Sequence, residues 1–341
     1  MTTLWDTTGS DVVKALSAER RSAGALAFGL ALTLVVVTDQ RSSEEAEKAA
    51  TAAAAAHPCR LLMVIRRHVE APDPRLDAEV LIGGRLGPGE AVVMRMYGRL
   101  ALHAESVTLP LLAPDAPVVT WWHDAPPEKI AWDPLGVFAD RRITDVSRCD
   151  DPMGALHQRA LDYAPGDTDL AWTRTTNWRS LVAAAFDSAS GKPVSATVEG
   201  PRAPATALLV GWLRSRLGID VQLKEARGQD VSAVRLQLED SREVVLRRQD
   251  SRTAVLALPE QGERTQPLTN RDLGDLLAEE VRRLDADEVY ADALSAWTGI
   301  DGLSDRSPFR THIWRDPTQE QRAEDGPAPS GDPGDEDVEN G

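Results

Sequence analysis

The segment from residue 30 to residue 65 constrains the fold more than any other part of this sequence. Leu30 to Val37 is continuously apolar and rich in β-branched residues, a composition typical of a strand that is buried on both faces of a sheet. Residues 42–56 have an acidic first turn and many alanines, which favours a helix that ends at His57-Pro58. A second apolar run, Cys59 to Ile65, follows. This strand–helix–strand order predicts a βαβ unit with two parallel strands.

The next segments extend this unit into a mixed sheet. Leu76 to Ile82 and Ala91 to Tyr97 have strand composition, and the glycine-rich stretch between them predicts a hairpin-like connection. That glycine run is not a dinucleotide fingerprint, because it lacks the required order and connects two strands instead of opening a helix. Val118 to Trp122 and Ile143 to Val146 predict further strands. We therefore expect a first α/β domain over residues 1–165.

A second α/β domain is predicted over residues 192–300, after a helical connector at residues 166–191. Pro204 to Leu217 predicts a helix, since proline often begins helices and Gly218 stands where glycines end them. Four strand-like runs then predict an antiparallel meander: Ile219–Leu223, Ala233–Leu238, Val244–Leu246 and Ala254–Leu258. Two helices follow, one capped by Asn270 and running through Leu284, the other spanning Asp287–Trp297. The predicted fold class is α/β, with two mixed α/β domains: a βαβ unit and mixed sheet first, then an antiparallel meander plus helices.

Acidic residues dominate the charge of the chain and limit the partners that it can take. The 341 residues carry a formal net charge of −16 at pH 7. Nucleic acids and anionic membranes select basic surfaces, so we expect neither as a partner. Part of the acidic charge lies in residues 316–341, which are rich in proline, glycine and acids. This composition predicts a disordered acidic C-terminal tail.

The cysteines and the N-terminal sequence bear on the compartment. Cys59 and Cys149 are too few for a disulfide scaffold and wrongly spaced for a zinc site, which favours a reducing cytoplasm. A redox pair between them is left open, because separation in sequence does not prevent proximity. Arg20-Arg21 precede the apolar stretch Ala23 to Val37, a pattern that also occurs in export signals. The stretch is too short to span a bilayer and no small-residue cleavage site follows it, so we favour a buried strand, with an exported protein as the alternative.

No known catalytic motif, metal-ligand spacing or cofactor fingerprint occurs in the sequence. We therefore predict no catalytic residue, no metal site and no cofactor. His123-Asp124 is the one polar pair at the carboxyl end of a predicted strand, an edge at which α/β sheets bind ligands. Two alternatives use this edge: an unrecognised hydrolase, or a sugar-phosphate or nucleotide sensor with Arg141, Arg142 or Arg174 as the charge partner. The competing interpretation is a strand end hydrogen-bonded into its own loop.

Tryptophans are concentrated in the segment from Pro117 to Asp187, which contains five of the nine tryptophans in the chain. Tryptophan and arginine often anchor partner proteins, although tryptophan is also common in protein cores. Together with the lack of a catalytic motif, the enrichment of such residues at interfaces favours a binding or assembly protein. The alternative is that these tryptophans fill a core. The candidate contact residues are Trp121, Trp122, His123, Asp124, Trp172, Arg174, Trp178 and Arg179.

Five groups of residues, in order along the chain, carry a resemblance to a known family. They are Trp5-Asp6-Thr7-Thr8, His57-Pro58-Cys59-Arg60, Pro117-Val118-Val119-Thr120-Trp121-Trp122, Asp169-Leu170-Ala171-Trp172-Thr173-Arg174 with Asn177-Trp178-Arg179, and Gly211-Trp212-Leu213 with Arg216-Leu217-Gly218. Together they resemble the glucose-6-phosphate dehydrogenase assembly protein family, OpcA. The string that begins at Asp169 is the most specific.

The resemblance implies a non-catalytic cytoplasmic protein that binds glucose-6-phosphate dehydrogenase and promotes its active oligomeric form. Such a protein would support NADPH production in the oxidative pentose phosphate pathway. Photosynthetic members of the family are associated with redox control through cysteines. Because this chain has only Cys59 and Cys149, that regulation is left open, as is a small-molecule effector.

Overall fold

Two β-sheets, seen in a computed structural model, organise the chain. The structure describes residues 1–23, 30–130, 132–188, 191–259 and 261–308, with only the backbone at residues 187 and 188. The strands of the first sheet are β1 (Thr2–Leu4), β2 (Thr33–Asp39), β3 (Arg60–Arg67), β4 (Arg75–Ile82), β5 (Glu90–Tyr97), β6 (Val118–Trp122), β7 (Arg141–Thr144) and β8 (Asp167–Asp169). The helices in this part are α1 (Gly9–Ser22), α2 (Ser43–Ala56), α3 (Glu105–Thr108), α4 (Pro134–Val137), α5 (Pro152–Asp162), α6 (Leu170–Thr173) and α7 (Thr176–Ser188).

The first sheet has the strand order β1-β4-β5-β3-β2-β6-β7-β8. β2 and β3 are parallel neighbours joined by α2, so the predicted βαβ unit is confirmed. β5, β6, β7 and β8 are also parallel to their neighbours on the β2 side, whereas β4 forms the predicted antiparallel hairpin with β5. The edge strands β1 and β8 were not predicted. Each has three residues, too few for an apolar pattern to reveal it.

The continuous apolar runs of β2 and β3 reflect burial on both faces of the sheet. On one face, Leu34 and Leu61 share a core with the alanines of α2. On the other face, Val35 and Leu62 share a core with Val12 of α1. Successive side chains of a strand point to opposite faces. Apolar residues at successive positions are therefore favoured in a strand that is covered on both faces.

The second sheet has six strands in the order β10-β9-β11-β12-β13-β14. They are β9 (Pro193–Gly200), β10 (Asp220–Glu225), β11 (Ala233–Leu238), β12 (Glu243–Arg248), β13 (Thr253–Leu258) and β14 (Gly262–Pro267). The helices in this part are α8 (Pro204–Leu217), α9 (Leu273–Val281) and α10 (Glu288–Thr298).

The predicted meander is confirmed for three of its four runs. β11, β12 and β13 are antiparallel neighbours, and β14 continues them. The prediction was wrong for the first run, because β10 pairs in parallel with β9 at the edge of the sheet. Helix α8 returns the chain to the starting end of β9 and makes a second βαβ unit. Sequence reasoning missed β14, whose side chains are polar and mostly exposed.

The boundaries of α8 and α10 agree with local capping signals in the sequence, whereas the start of α9 does not. Pro204 begins α8, and Gly218 ends it with a left-handed backbone. Asp287, the first residue of the predicted helix, caps α10, with its carboxylate accepting from the backbone N–H of Tyr290. The predicted cap of α9 was wrong: Asp272 precedes that helix, and the Asn270 amide donates to Asp230 at 2.9 Å.

Helix α9 belongs to the second predicted domain but packs against the first sheet. Its Leu276, Leu277 and Val281 lie in the same core as the inner residues of β2, β3 and α2. A Cβ at Gly274 would stand 2.6 Å from the Cβ of Ala52, so small residues are required where α9 meets α2. The two predicted domains therefore share a hydrophobic core, and the boundary between them stays a prediction.

The predicted helical connector, residues 166–191, is not helical throughout. It starts with β8, which pairs with β7 in the first sheet, and continues as α6 and α7. The tight turn into β8 uses Gly166, which has a φ of 98°. The first part of the connector is therefore an edge of the first sheet.

Parts of three predictions fall outside the described residues. These are the disordered tail at residues 316–341, residues 24–29 of the apolar stretch after Arg20-Arg21, and the end of the connector at residues 189–190. The remainder of the apolar stretch contains the buried strand β2, which begins at Thr33. Among the helices described, none has both the length and the apolar character needed to cross a membrane.

Candidate functional site

The candidate site lies at the carboxyl ends of the parallel strands β2, β6, β7 and β8, the edge at which α/β sheets bind ligands. A carboxylate stands at or just after each strand end: Asp39, Asp124, Asp145 and Asp169. Asp124 was among the residues predicted from the sequence, whereas Asp145 was not. The chemistry that this edge can perform depends on what these carboxylates already contact.

Asp124 occupies the amino end of α2, where anionic ligands bind in related sheet architectures. Its carboxylate accepts hydrogen bonds from the Thr38 hydroxyl at 2.9 Å, the Asp39 backbone N–H at 2.8 Å and the Ser42 hydroxyl at 2.6 Å. Burial raises the pKa of Asp124, but hydrogen bonds from His123, Ser42, Asp39 and Thr38 outweigh it and lower the pKa below its ordinary value. A fixed negative charge therefore fills the position that a phosphate would need.

His123 is fully buried between two carboxylates. Its Nδ1 lies 3.3 Å from Asp124 Oδ1, and its Nε2 lies 3.5 Å from Glu45 Oε2. The ring stands edge-on to Trp121, with 5.2 Å between centroids, and Arg148 holds Glu45 through two hydrogen bonds. No external substrate reaches His123 in this arrangement, which disfavours the hydrolase interpretation.

Asp145 and Asp169 are two fully buried carboxylates at the ends of β7 and β8. Asp145 accepts two hydrogen bonds of 2.7 Å from Arg174, whose side chain is 32% exposed. Asp169 accepts from the Thr144 hydroxyl at 2.6 Å and from the backbone N–H groups of Val146 and Ala171. Burial, and then the nearby Asp145 charge, raise the pKa of Asp169 against these hydrogen bonds.

The three arginines proposed as charge partners for a bound anion are all engaged with carboxylates of the chain. Arg141 pairs with Glu280, Arg142 pairs with Asp167, and Arg174 pairs with Asp145. The first two arginines are buried. The geometry therefore favours the interpretation that this edge is hydrogen-bonded into its own loops, over a nucleotide or sugar-phosphate site.

The buried Trp172 and the partly exposed Arg179 stack next to this edge. The Arg179 guanidinium lies 3.5 Å from the centroid of the Trp172 ring, and the Trp172 indole N–H donates to Asp287 at 2.9 Å. Burial lowers the pKa of Arg179 to about 10 against the charges of Asp287, Glu279 and Glu280. The segment from Asp169 to Arg179, which carries the most specific family resemblance, is thus hydrogen-bonded to the start of α10 through Trp172.

The four predicted contact tryptophans lie in four separate hydrophobic clusters. Trp121 packs on the α2 side of the first sheet and Trp122 on the α1 side. Trp172 lies in the cluster that includes α8 and α10, and Trp178 lies in the core of the second sheet. All four are almost completely buried, whereas Asp124, Arg174 and Arg179 are partly exposed. Of these polar residues, Arg179 stacks on a buried tryptophan, Trp172, and the contact role of the whole set stays a prediction.

Two exposed tryptophans were not among the predicted contact residues. Trp5 is 68% exposed and Trp132 is 48% exposed. Asp6, which follows Trp5, has a φ of 45°, and its backbone N–H donates to Asp77 at 3.0 Å. Trp5 belongs to one of the residue groups that carry the family resemblance, and this was the sequence signal that could have indicated it as a contact residue. Sequence alone does not distinguish an exposed tryptophan from a buried one.

Both cysteines are free thiols. Cys59 is buried, and this burial raises its pKa to about 12, which disfavours the reactive thiolate. Cys149 is partly buried, and burial followed by the Asp169 charge raises its pKa. Their proposed redox pairing stays a prediction. Among the described residues, no group of three or more histidine, cysteine or acidic side chains is placed to hold a metal ion.

Replacing Asp124 with asparagine is expected to lower the free energy of unfolding by about 1–3 kcal/mol at pH 7, because one amide oxygen replaces two carboxylate oxygens. The folded-state pKa of Asp124 is lowered, so its ionised form stabilises the fold above the unfolded-state value of about 4. This contribution is lost as the pH falls through the folded-state pKa. Urea unfolding should show that the difference between the two proteins narrows below about pH 4. A constant difference, or an equal loss in the exposed control Asp39→Asn, would contradict this assignment.

Two family models match the chain. They are described as the N-terminal domain and the C-terminal domain of the glucose-6-phosphate dehydrogenase subunit, and they match residues 50–161 and residues 165–294 respectively. The matches together cover well over half of the chain. The two mixed sheets, with their helices, define a mixed α/β protein. The chain belongs to the OpcA family of glucose-6-phosphate dehydrogenase assembly proteins.

One relative and one solved structure add to these matches. A Synechococcus elongatus protein, named as an OpcA of the OxPP cycle, is 31% identical over 150 residues, which cover 38% of this chain and 34% of that protein. The chain thus spans about a third of the length of this curated relative. KijD10, a 3-ketoreductase from Actinomadura kijaniata in complex with NADP and TDP-benzene, is 12% identical, with 79% of this chain and 96% of that chain covered and a TM-score of 0.43.

Proposed function

We propose that this chain is a non-catalytic assembly factor that binds glucose-6-phosphate dehydrogenase in the cytoplasm and promotes its active oligomeric form. In this role it supports NADPH production in the oxidative pentose phosphate pathway. The observation that carries the proposal is the pair of family models, which together follow the chain from residue 50 to residue 294. At the strand edge, Asp124 accepts hydrogen bonds from the chain, and Arg142 and Arg174 pair with its carboxylates, which supports a role in binding a partner over a role in catalysis.

A simple thermodynamic mechanism is sufficient for activation. A protein that binds the active oligomer more tightly than the inactive form shifts the population toward the active form. A difference of about 1.4 kcal/mol in binding free energy corresponds to a tenfold shift. This mechanism requires no chemistry from the chain itself.

The partly exposed polar residues among the predicted contacts are Asp124, Arg174 and Arg179. We add Trp5 and Trp132 as aromatic anchors, because large exposed aromatic side chains contribute strongly to protein interfaces. Their exposure makes them available without unfolding of a core. These five residues are the proposed contact set to be tested first.

Titration of the chain into glucose-6-phosphate dehydrogenase from the same organism is expected to raise the rate of the dehydrogenase to a plateau. Size-exclusion chromatography with light scattering should show co-elution and a larger dehydrogenase oligomer. Trp5→Ala and Trp132→Ala should each weaken binding by roughly tenfold or more, because each removes a proposed aromatic anchor. Leu161→Ala, at another exposed apolar residue, is the matched control. An unchanged rate without co-elution at saturating concentration would refute the proposed function.

A further inference from the structure

A pocket of about 230 Å³ lies where the segment after β8 meets the second sheet and the loop before α9. Arg174, Asn177 and Trp178 contribute one wall, and Arg248 contributes another. Arg271 and the loop that precedes it close the third side. The volume is below the range of about 300–1,000 Å³ that is usual for drug-sized ligands, so the pocket suits a small metabolite and not a dinucleotide.

The titratable residues that line this pocket are three arginines and one aspartate. Arg174 is paired with Asp145, and Arg271 is paired with Glu279. Asp230 is exposed and accepts a hydrogen bond from the Asn270 amide. Within the part of the chain that the structure describes, no carboxylate forms an ion pair with the remaining arginine, Arg248.

Among the described residues, the Arg248 guanidinium makes only long hydrogen bonds, although it has five donors. Its Nε lies 3.3 Å from the Val231 carbonyl oxygen, and its Nη1 lies 3.4 Å from the Leu268 carbonyl oxygen. The guanidinium also lies 5.7 Å from the centroid of the Trp178 ring. A guanidinium held this way keeps donors in the geometry that suits a carboxylate or a phosphate.

The surroundings of Arg248 complete a site with polar and apolar parts. Asn177 and Thr269 contribute an amide and a hydroxyl, while Val231 and Leu268 contribute apolar surface. A few convergent polar groups beside an apolar wall are typical of pockets that orient a small ligand. The exposed position of Asp230 weakens its repulsion of an anion, because solvent screens it.

We propose that this pocket binds a small organic oxyanion, of the size of a single sugar phosphate or sugar acid, with Arg248 as its principal cation. Arg174 also belongs to the proposed contact set for the dehydrogenase, but this chain alone forms the pocket, so ligand binding does not depend on the dehydrogenase. A ligand here contacts the segment after β8, strand β12 and the loop that leads into α9. Its binding stabilises the junction through which α9 reaches the first sheet.

Isothermal titration calorimetry on the full chain alone tests the site, with glucose 6-phosphate, gluconate, glucose and inorganic phosphate as probes. We expect saturable binding of glucose 6-phosphate, gluconate or both, and a matching rise in melting temperature. The two anions distinguish phosphate from carboxylate recognition, and glucose measures binding without an anion. Binding of neither organic anion, or equal binding of inorganic phosphate or glucose, would overturn the proposal.

Arg248→Gln is expected to weaken the binding at least about tenfold, because it removes a charged hydrogen-bond donor. Arg247→Gln is the matched control, since Arg247 is the preceding residue of β12, is exposed, and pairs with Glu263 instead. The control should bind within about twofold of the natural chain. Should Arg248→Gln fail to fold, Asn177→Asp replaces an amide of the lining with a repelling charge of the same shape and should weaken binding similarly. Unchanged affinity in whichever of these variants folds would overturn the assignment.

Discussion

Glu280→Ala is expected to lower the free energy of unfolding by about 3–5 kcal/mol, because it leaves a buried arginine without its counter-charge. Arg141 is 0% exposed and Glu280 is 2% exposed. Arg141 also donates to the Asp285 carbonyl oxygen at 2.8 Å, and the Thr173 hydroxyl donates to Glu280 at 2.7 Å. The network connects β7, α6 and α9, so its loss should loosen the contact between α9 and the first sheet. Urea unfolding followed by circular dichroism measures the change.

Two further variants separate the buried charge from the helix that carries it. Asp275→Ala removes an exposed acid from the first turn of the same helix and should cost about 1 kcal/mol or less. The double variant Arg141→Met with Glu280→Leu removes both charges and should recover much of the lost stability, because apolar replacements of a buried pair are often neutral. A small effect of Glu280→Ala would show that water reaches Arg141 and that the pair is not a buried one.

Trp172→Ala is expected to cost about 3–5 kcal/mol of unfolding free energy, because it removes a large buried side chain and leaves a cavity. The substitution also removes the hydrogen bond to Asp287 and the stacking partner of Arg179. Trp172→Phe retains most of the packing and loses the indole N–H, so it should cost less. Thermal and urea unfolding of the three proteins provide the comparison.

The same variant distinguishes a core tryptophan from an interface anchor. Trp5→Ala, at an exposed site, should change the free energy of unfolding by no more than about 0.5 kcal/mol. If Trp172 instead contacted the dehydrogenase directly, Trp172→Ala would keep its stability and lose only dehydrogenase binding. Co-elution measured at a temperature where each variant is folded tests this outcome.

The elements that could be predicted are those specified by neighbouring residues. The β2–α2–β3 unit was recognisable because two apolar runs enclose an alanine-rich helix with an acidic first turn. Helix α8 was recognisable because proline and glycine stand at its ends. The direction of β10 could not be predicted, because a short amphipathic strand has the same composition whether its neighbour is parallel or antiparallel. β14 was missed because an exposed edge strand needs no apolar residues.

In the candidate site, too, some features could be predicted from the sequence and others could not. The sequence singled out Trp121 to Asp124 and Trp172 to Arg179 as unusual, and the structure places both segments beside one strand edge. The sequence did not indicate that Asp124 would lie at the amino end of α2, because this position depends on the pairing of β6 with β2. Nor did it indicate which tryptophans are buried, since burial depends on helices that pack from elsewhere in the chain.

Local residue preferences alone determined most of the strands and helices of this protein, because helix caps, turns and apolar periodicity act within a few residues. The same residues carried the resemblance to the family, because its strings are contiguous in sequence. Only the tertiary structure decided which charges are neutralised and which remain available to a ligand. Arg141 pairs with a carboxylate 139 residues away, whereas the Arg248 guanidinium donates to two carbonyl oxygens and, among the described residues, pairs with no carboxylate. Such pairings depend on packing between distant segments, which no local pattern records.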